Sequence, residues 1–179
     1  MATTGRKYPT EVGENTDSWT NPENMLNAGD GVCGYKITGA LDWNLKCYLK
    51  TYGFSIPAGS TITKLTLGTK GCRNASFVVM ATVSMVCKNG IIEYGGNVNE
   101  TQWSNCSGAT EVTISFVSPT PLPSVDDLNN ETFTTWAKFM GSSLYANAKT
   151  GLIDCIWIEV EYTPPAAPSG MMDGLVQAD

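Results

Sequence analysis

The clearest signal along the chain is alternation of apolar and polar side chains with a period of two, as expected of a strand with one buried face. Phe77 to Cys87 carries it best. Phe77, Val79, Ala81, Val83 and Met85 fall on one face, and Val78, Met80, Thr82, Ser84 and Val86 on the other. Lys88-Asn89-Gly90 follows, and Asn-Gly is the strongest short hairpin signal, so Ile91 to Tyr94 is predicted to pair back antiparallel before Gly95-Gly96 ends it. Thr110 to Val117 alternates again, with Val112, Ile114 and Phe116 on one side. In Leu152 to Thr163, Ile156, Ile158, Val160 and Tyr162 alternate with Cys155, Trp157, Glu159 and Glu161. Thr61 to Thr69 alternates less regularly, but its Thr, Ile and Leu content favours a strand. Short aromatic-rich segments at 33–38 and 43–54, separated by Thr38-Gly39-Ala40, complete the set, and Ser55-Ile56-Pro57-Ala58-Gly59-Ser60 must turn.

Helical character is confined to Val125 to Phe139, with Ser124 or Asp126 as N-cap, while Ser118 to Ser124 carries three prolines and is loop. About eight strands at intervals of about 10–15 residues predict an all-β antiparallel sandwich or barrel. The ends read differently. Residues 1–30 are polar and form an extended N-terminal arm, with turns at Trp19-Thr20-Asn21-Pro22 and Ala28-Gly29-Asp30-Gly31. Trp19 stands out, because an indole in so polar a segment plugs into a core or a neighbour. Residues 31–163 form the β-sandwich domain. The Pro-rich C-terminal tail, 164–179, opens on the stiff run Pro164-Pro165-Ala166-Ala167-Pro168.

Composition adds a hint about surroundings. Charged residues make up 16% of the 179, below the roughly 25% usual for a soluble domain. Low charge with abundant Thr, Ser, Asn and Gly fits a surface partly covered by neighbouring subunits. The net charge is −6, and the 11 Lys and Arg are scattered, with no run longer than two, so a nucleic-acid partner is not expected. The N-terminus lacks the apolar core of a secretory signal, and no stretch approaches the roughly 18 apolar residues of a membrane span. Synthesis in a cytoplasm, with no membrane partner, is the expectation.

Catalytic chemistry has little to work with. Without His there is no Ser-His-Asp or Cys-His arrangement, and no glycine-rich phosphate loop precedes a helix. Asp126-Asp127 with Glu131, and Glu159 with Glu161, are the carboxylate pairs; the first reads as a turn and the second as a solvated strand face. Asp30, Asp126, Asp127 and Glu131 are loop oxygens of the type calcium takes, at no recognisable spacing. The six cysteines, Cys33, Cys47, Cys72, Cys87, Cys106 and Cys155, form no CxxC pair. They read as mostly free, buried small hydrophobes, with three disulfides as the alternative. No metal, cofactor or enzymatic activity is expected. Trp43, Trp103 and Trp136 are candidate stacking platforms for a glycan. Four Asn-x-Ser/Thr sequons, at Asn74, Asn99, Asn105 and Asn130, are about what so much Ser and Thr gives by chance.

Several blocks, in order, carry a family resemblance. Trp19-Thr20-Asn21-Pro22-Glu23-Asn24 with Asp30-Gly31 resembles a "W-x-N-P-x-N … D-G" opening. Leu49 to Ile62 resembles "L-x-x-x-G-F-x-I-P-x-G-A-T-I", and Val83 to Gly90 a "V-x-L-x-K-x-G" strand and turn. Leu122 to Phe133 followed by Ile153 to Thr163 resembles "W-T-x-x-x-L-N-x-x-x-F … V-D-x-V-x-I-x-V-x-Y-T". These blocks span residues 19–163 and are similar to those of small jelly-roll-like virion surface proteins of tailed bacteriophages and archaeal viruses. Lys64 departs from the pattern, which usually carries Gly there, and the tryptophan before the late loop is missing. The resemblance implies a jelly-roll-like sandwich acting as a head-decoration or fibre-base protein. Its partners would be copies of itself, with a trimer as the preferred state, and other virion proteins such as the major capsid protein. It also turns 124–134 into loop or one short turn, with Trp136 to Tyr145 a strand. Residues 1–30 would be the docking arm, with Trp19, Asn21, Pro22, Arg6 and Tyr8 as contact residues; a turn pinned to its own sandwich is the other reading of Trp19 to Pro22. A receptor- or carbohydrate-binding module of a tail fibre is the alternative function.

Overall fold

A computed structural model describes residues 1–14, 19–26, 33–38, 46–73, 79–86, 93–95, 110–117, 122–141 and 149–167. In chain order the strands are Ala2–Thr3 (β1), Glu11–Val12 (β2), Gly34–Thr38 (β3), Lys46–Lys50 (β4), Thr61–Arg73 (β5), Val79–Val86 (β6), Glu93–Gly95 (β7), Thr110–Val117 (β8), Thr134–Gly141 (β9) and Lys149–Thr163 (β10). A 3-10 turn at Pro22–Leu26 and one α-helical turn at Val125–Leu128 (α1) are the helical elements among the described residues. Every strand pairing is antiparallel. One sheet runs β1-β10-β5-β8 with β3 also on β10, and the other runs β2-β4-β9-β6-β7. The chain is thus an all-β protein of two antiparallel sheets. No helix among the described residues is long and apolar enough to cross a membrane.

The predicted alternation on the last strand sets the core. Ile156, Ile158 and Val160 stand opposite Thr69, Leu67 and Leu65 in the ladder, and all six are buried. From the other sheet Cys47 and Leu49 join the same cluster, closed by Trp19, Met25, Phe54, Leu128 and Phe133. At roughly 25 cal/mol per Å² of apolar surface, each such fully buried side chain contributes about 1.5–3 kcal/mol. The intervening residues of β10, Trp157, Glu159 and Glu161, lie on the outer face against Gly68, Thr66 and Lys64.

The hairpin read from Asn89-Gly90 is present as β6 pairing β7, with Met85 opposite Tyr94; the turn itself lies outside the described residues. Helix over Val125 to Phe139 is corrected to the four residues of α1, in agreement with what the family resemblance implied. Ser124 is the N-cap, with a capping box to Asp127. The last helical bond runs from the Asn129 amide to the Val125 carbonyl at 2.9 Å, and the Asn130 amide turns back to Asp127 O at 3.3 Å. Asn130 Oδ1 accepts from the Thr132 amide at 3.0 Å, and Thr134 then starts β9. The predicted strand 43–54 ends at Lys50 in β4, since Thr51 (φ 62°) and Gly53 (φ 60°) are left-handed and leave the ladder, while 43–45 lie outside the described residues.

The family-like blocks meet in space. Asn129 Oδ1 accepts from the Ile56 amide at 2.9 Å and its Nδ2 donates to the Ile56 carbonyl at 2.8 Å, so one side chain clamps both groups of the Ile56 residue. Beside it Tyr52 stacks on Phe54 at 5.9 Å, and both meet Phe133 edge-on at 6.3 Å. Tyr52 is fully buried and its hydroxyl bonds Thr135 Oγ1. At the other block, Asn21 (φ 50°) opens the 3-10 turn, and Asn24 Nδ2 donates to the Cys33 carbonyl at 3.1 Å. Gly34 follows, where a Cβ would lie 3.0 Å from Asn21 O and from Met25 Cγ.

Candidate functional site

The N-terminal residues are the main surprise, because they do not project. Ala2 stands opposite Tyr162, the Thr4 amide bonds the Val160 carbonyl at 3.0 Å, and Lys7 forms a two-way bridge with Ile158 at 2.7 and 2.9 Å. Thr4 Oγ1 accepts from the Val160 amide at 3.1 Å, filling a gap in the ladder. Farther on, Glu11 and Val12 pair with Lys50 and Leu49, so the segment crosses from one sheet to the other. Two-residue strands of this type are held by backbone bonds and need no hydrophobic period, so the binary pattern gave no sign of them.

This segment roofs the outer face of β10. The Arg6 guanidinium lies 4.1 Å from the centre of the Trp157 ring and makes a two-pronged bond to Glu111, at 3.0 and 2.8 Å. Its pKa is raised, first by the Glu111 hydrogen bond and also by Tyr8. Trp157 itself is 2% exposed, flat over Gly68, and its Nε1–H has no hydrogen-bond partner among the described residues. Around it Thr3 donates to Glu159 at 2.8 Å and Lys64 pairs with Glu161 at 2.7 Å. Lys64, the departure from the family pattern, therefore has its own partner. Lys70 pairs at 2.8 Å with Asp154, a carboxylate only 1% exposed, and its pKa rises mainly through that bond.

Arg6 lies on this face, and Tyr8 beside it is half-buried. Trp19 is 7% exposed and belongs to the chain's own core; Asn21 is exposed and Pro22 half-buried. The turn at Trp19 to Pro22 is pinned to its own sandwich, so the core holds the indole proposed as a contact. Trp136, a candidate for stacking on sugars, is corrected: it is 6% exposed, and its ring is covered within the fold. Trp43 and Trp103 lie outside the described residues, as do Asn74, Asn99 and Asn105. Glu159 and Glu161 are half-buried and partnered, not a solvated pair. Asp127 is occupied by the capping box, and no group of three or more metal-ligating side chains comes together among the described residues. None of Cys33, Cys47 and Cys155 is in a disulfide, and the last two are buried.

A shallow groove of about 350 Å³ opens between the 57–60 turn and the start of α1, lined by Gly59, Ser60, Ile62, Leu122, Ser124 and Asp126. Ser60 Oγ is buried there without a hydrogen-bond partner among the described residues. Sequence reasoning missed the Arg6–Trp157–Glu111 stack, which joins three segments far apart in the chain. It also missed Asp154, although an aspartate inside the apolar run Leu152 to Ile158 was a readable signal of a buried charge.

No family model matches the chain, and no curated protein does. Among solved structures it is similar to one described as "CBM4 structure and function". That match has 19% identity over 88% of this chain and 95% of that one, with a TM-score of 0.42. So weak a superposition carries no functional information.

Proposed function

We propose that this chain is a structural virion protein, a head-decoration or fibre-base protein of a tailed virus, that acts by assembly and not by catalysis. The observation that supports this reading is the convergence of the family-like blocks. The Gly53-Phe54 to Gly59 block is clamped by Asn129 and Phe133 of the late block, and the Trp19 block plugs the same core. That the residues carrying the resemblance pack on one another supports reading it at the level of the fold. The low charge and the partnered carboxylates agree with a protein that works through surface contacts. Its partners are further copies, as a trimer, and the major capsid protein. The contact surface is the outer side of the first sheet with its roof, including Arg6 and Tyr8.

Light scattering on the purified chain tests the oligomer and co-sedimentation with virion particles lacking it tests the partner. A trimer that binds particles is expected. A monomer that ignores particles yet binds on a glycan array, with binding lost in Trp43→Ala or Trp103→Ala, would hand the function to the carbohydrate-binding alternative.

A further inference from the structure

Six cysteines in a chain of 179 residues have no part in the assembly reading, and two of them, Cys33 and Cys155, act on the same Lys70 ammonium. β3 and β10 are in register up to Gly34 opposite Ile153; continuing that register by one residue puts Cys33 opposite Asp154 and diagonal to Cys155. A Cβ on Gly34 would touch Met25 of the core, so alternation turns Cys33 to the outer face. Cys155 lies on that face too, because Ile156 is in the core and Cys155 stands opposite Lys70. The β10–β5 ladder is irregular between Ile153 and Cys155, which leaves Asp154 as the extra residue and keeps both Ile153 and Ile156 on the core side. Neighbouring strands lie about 4.8 Å apart and one residue adds about 3.3 Å, so the diagonal Cα separation is about 6 Å, within the roughly 4.4–6.8 Å a disulfide spans.

We infer that Cys33 and Cys155 form a reversible disulfide under peroxide, stapling β3 to β10 beside the Lys70–Asp154 ion pair. The two thiols have different environments. Cys33 is half-exposed and meets the oxidant, whereas Cys155 is 3% exposed, and burial pushes its pKa up to about 11. Peroxide transfers one oxygen to the Cys33 sulfur, giving the sulfenic acid and an alcohol or water. The Cys155 sulfur then attacks the Cys33 sulfur; the S–S bond forms, the S–O bond breaks, and hydroxide leaves with the Cys155 proton as water. Lys70, whose pKa is raised by Asp154 first and also by Cys155 and Cys33, supplies positive charge beside the departing oxygen. A dithiol reductant reverses the bond.

The full-length reduced chain, treated with hydrogen peroxide, alkylated and digested without reductant, tests this by peptide mass mapping. A linked pair of peptides carrying Cys33 and Cys155 is expected, lost in Cys33→Ser and retained in Cys72→Ser. The oxidised chain should melt higher than the reduced one, and dithiothreitol should return it. Because Cys155→Ser alters a buried site, the half-exposed Cys33→Ser variant carries the test. A link from Cys33 to Cys72, or Cys33 over-oxidised with Cys155 still a thiol, would overturn the inference. A failure here leaves the assembly reading untouched, since that reading uses neither thiol.

Discussion

Gly68 has no side chain because Trp157 occupies the space one would fill: a Cβ there would lie 2.1 Å from Trp157 Cε2. Gly68→Ala must push the indole off the sheet and break its contact with Arg6. A loss of about 3 kcal/mol in urea unfolding is expected, with a red shift of tryptophan emission as the ring meets water. Asn129 answers to a different cost. Asn129→Ala leaves the Ile56 amide and carbonyl without partners beside the Tyr52–Phe54–Phe133 cluster, so stability should fall by about 1–3 kcal/mol. Asn129→Asp, which keeps the acceptor but not the donor, should recover part of that loss in the same measurement.

Among the elements, the N-terminal strand is held mostly by backbone bonds and exposed side chains. The Arg6–Glu111 pair is 45% and 38% exposed, so Arg6→Ala should cost about 1 kcal/mol or less. Removing residues 1–7 does more, because it uncovers Trp157 and the edge of β10 from Ile158 to Tyr162. The truncated chain should associate beyond the size of the parent assembly with rising concentration, which static light scattering reads directly; a mass that stays at the parent's state would show that the edge is protected by something else. How well each element was legible follows from what holds it. The long strands β5, β8 and β10 and the β6–β7 hairpin were readable because a buried face imposes a period of two and Asn-Gly imposes a turn. β1 and β2 were not, since edge pairing through the backbone leaves no mark on side-chain pattern. The helix at 125–139 was over-read because the apolar spacing there serves two separate elements. Leu128 caps the core from α1, and Phe133 anchors the chain just before β9. On the candidate site, Arg6 was named from sequence, but its partners Trp157 and Glu111 are set by tertiary pairing across β10, β5 and β8.

At the scale of the whole molecule, three groups tie stability to alkaline pH. Burial raises the Cys155 thiol from its ordinary 9.0 to about 11, and burial also raises Tyr52. Lys70 shifts upward through Asp154. For each, the folded chain holds its proton to higher pH than the unfolded chain does. Stability is therefore full below the unfolded values and is lost as pH rises through the folded ones. Urea midpoints should fall steadily from pH 9 to pH 11, and Cys155→Ala should flatten the first part of that fall; a flat profile in the parent would contradict the assignment. The single strand β10 also sets an order of events. On one edge it carries the whole of β5, and on the other β1, the Lys7 bridge and β3, so its residues reach back to Ala2. During translation β1, β3, β5 and β8 all leave the ribosome before β10 is made, and the first sheet has no centre until it arrives. The nascent chain must wait with its strand edges unpaired, which makes folding slow by contact order and leaves that interval to chaperones or to neighbouring copies.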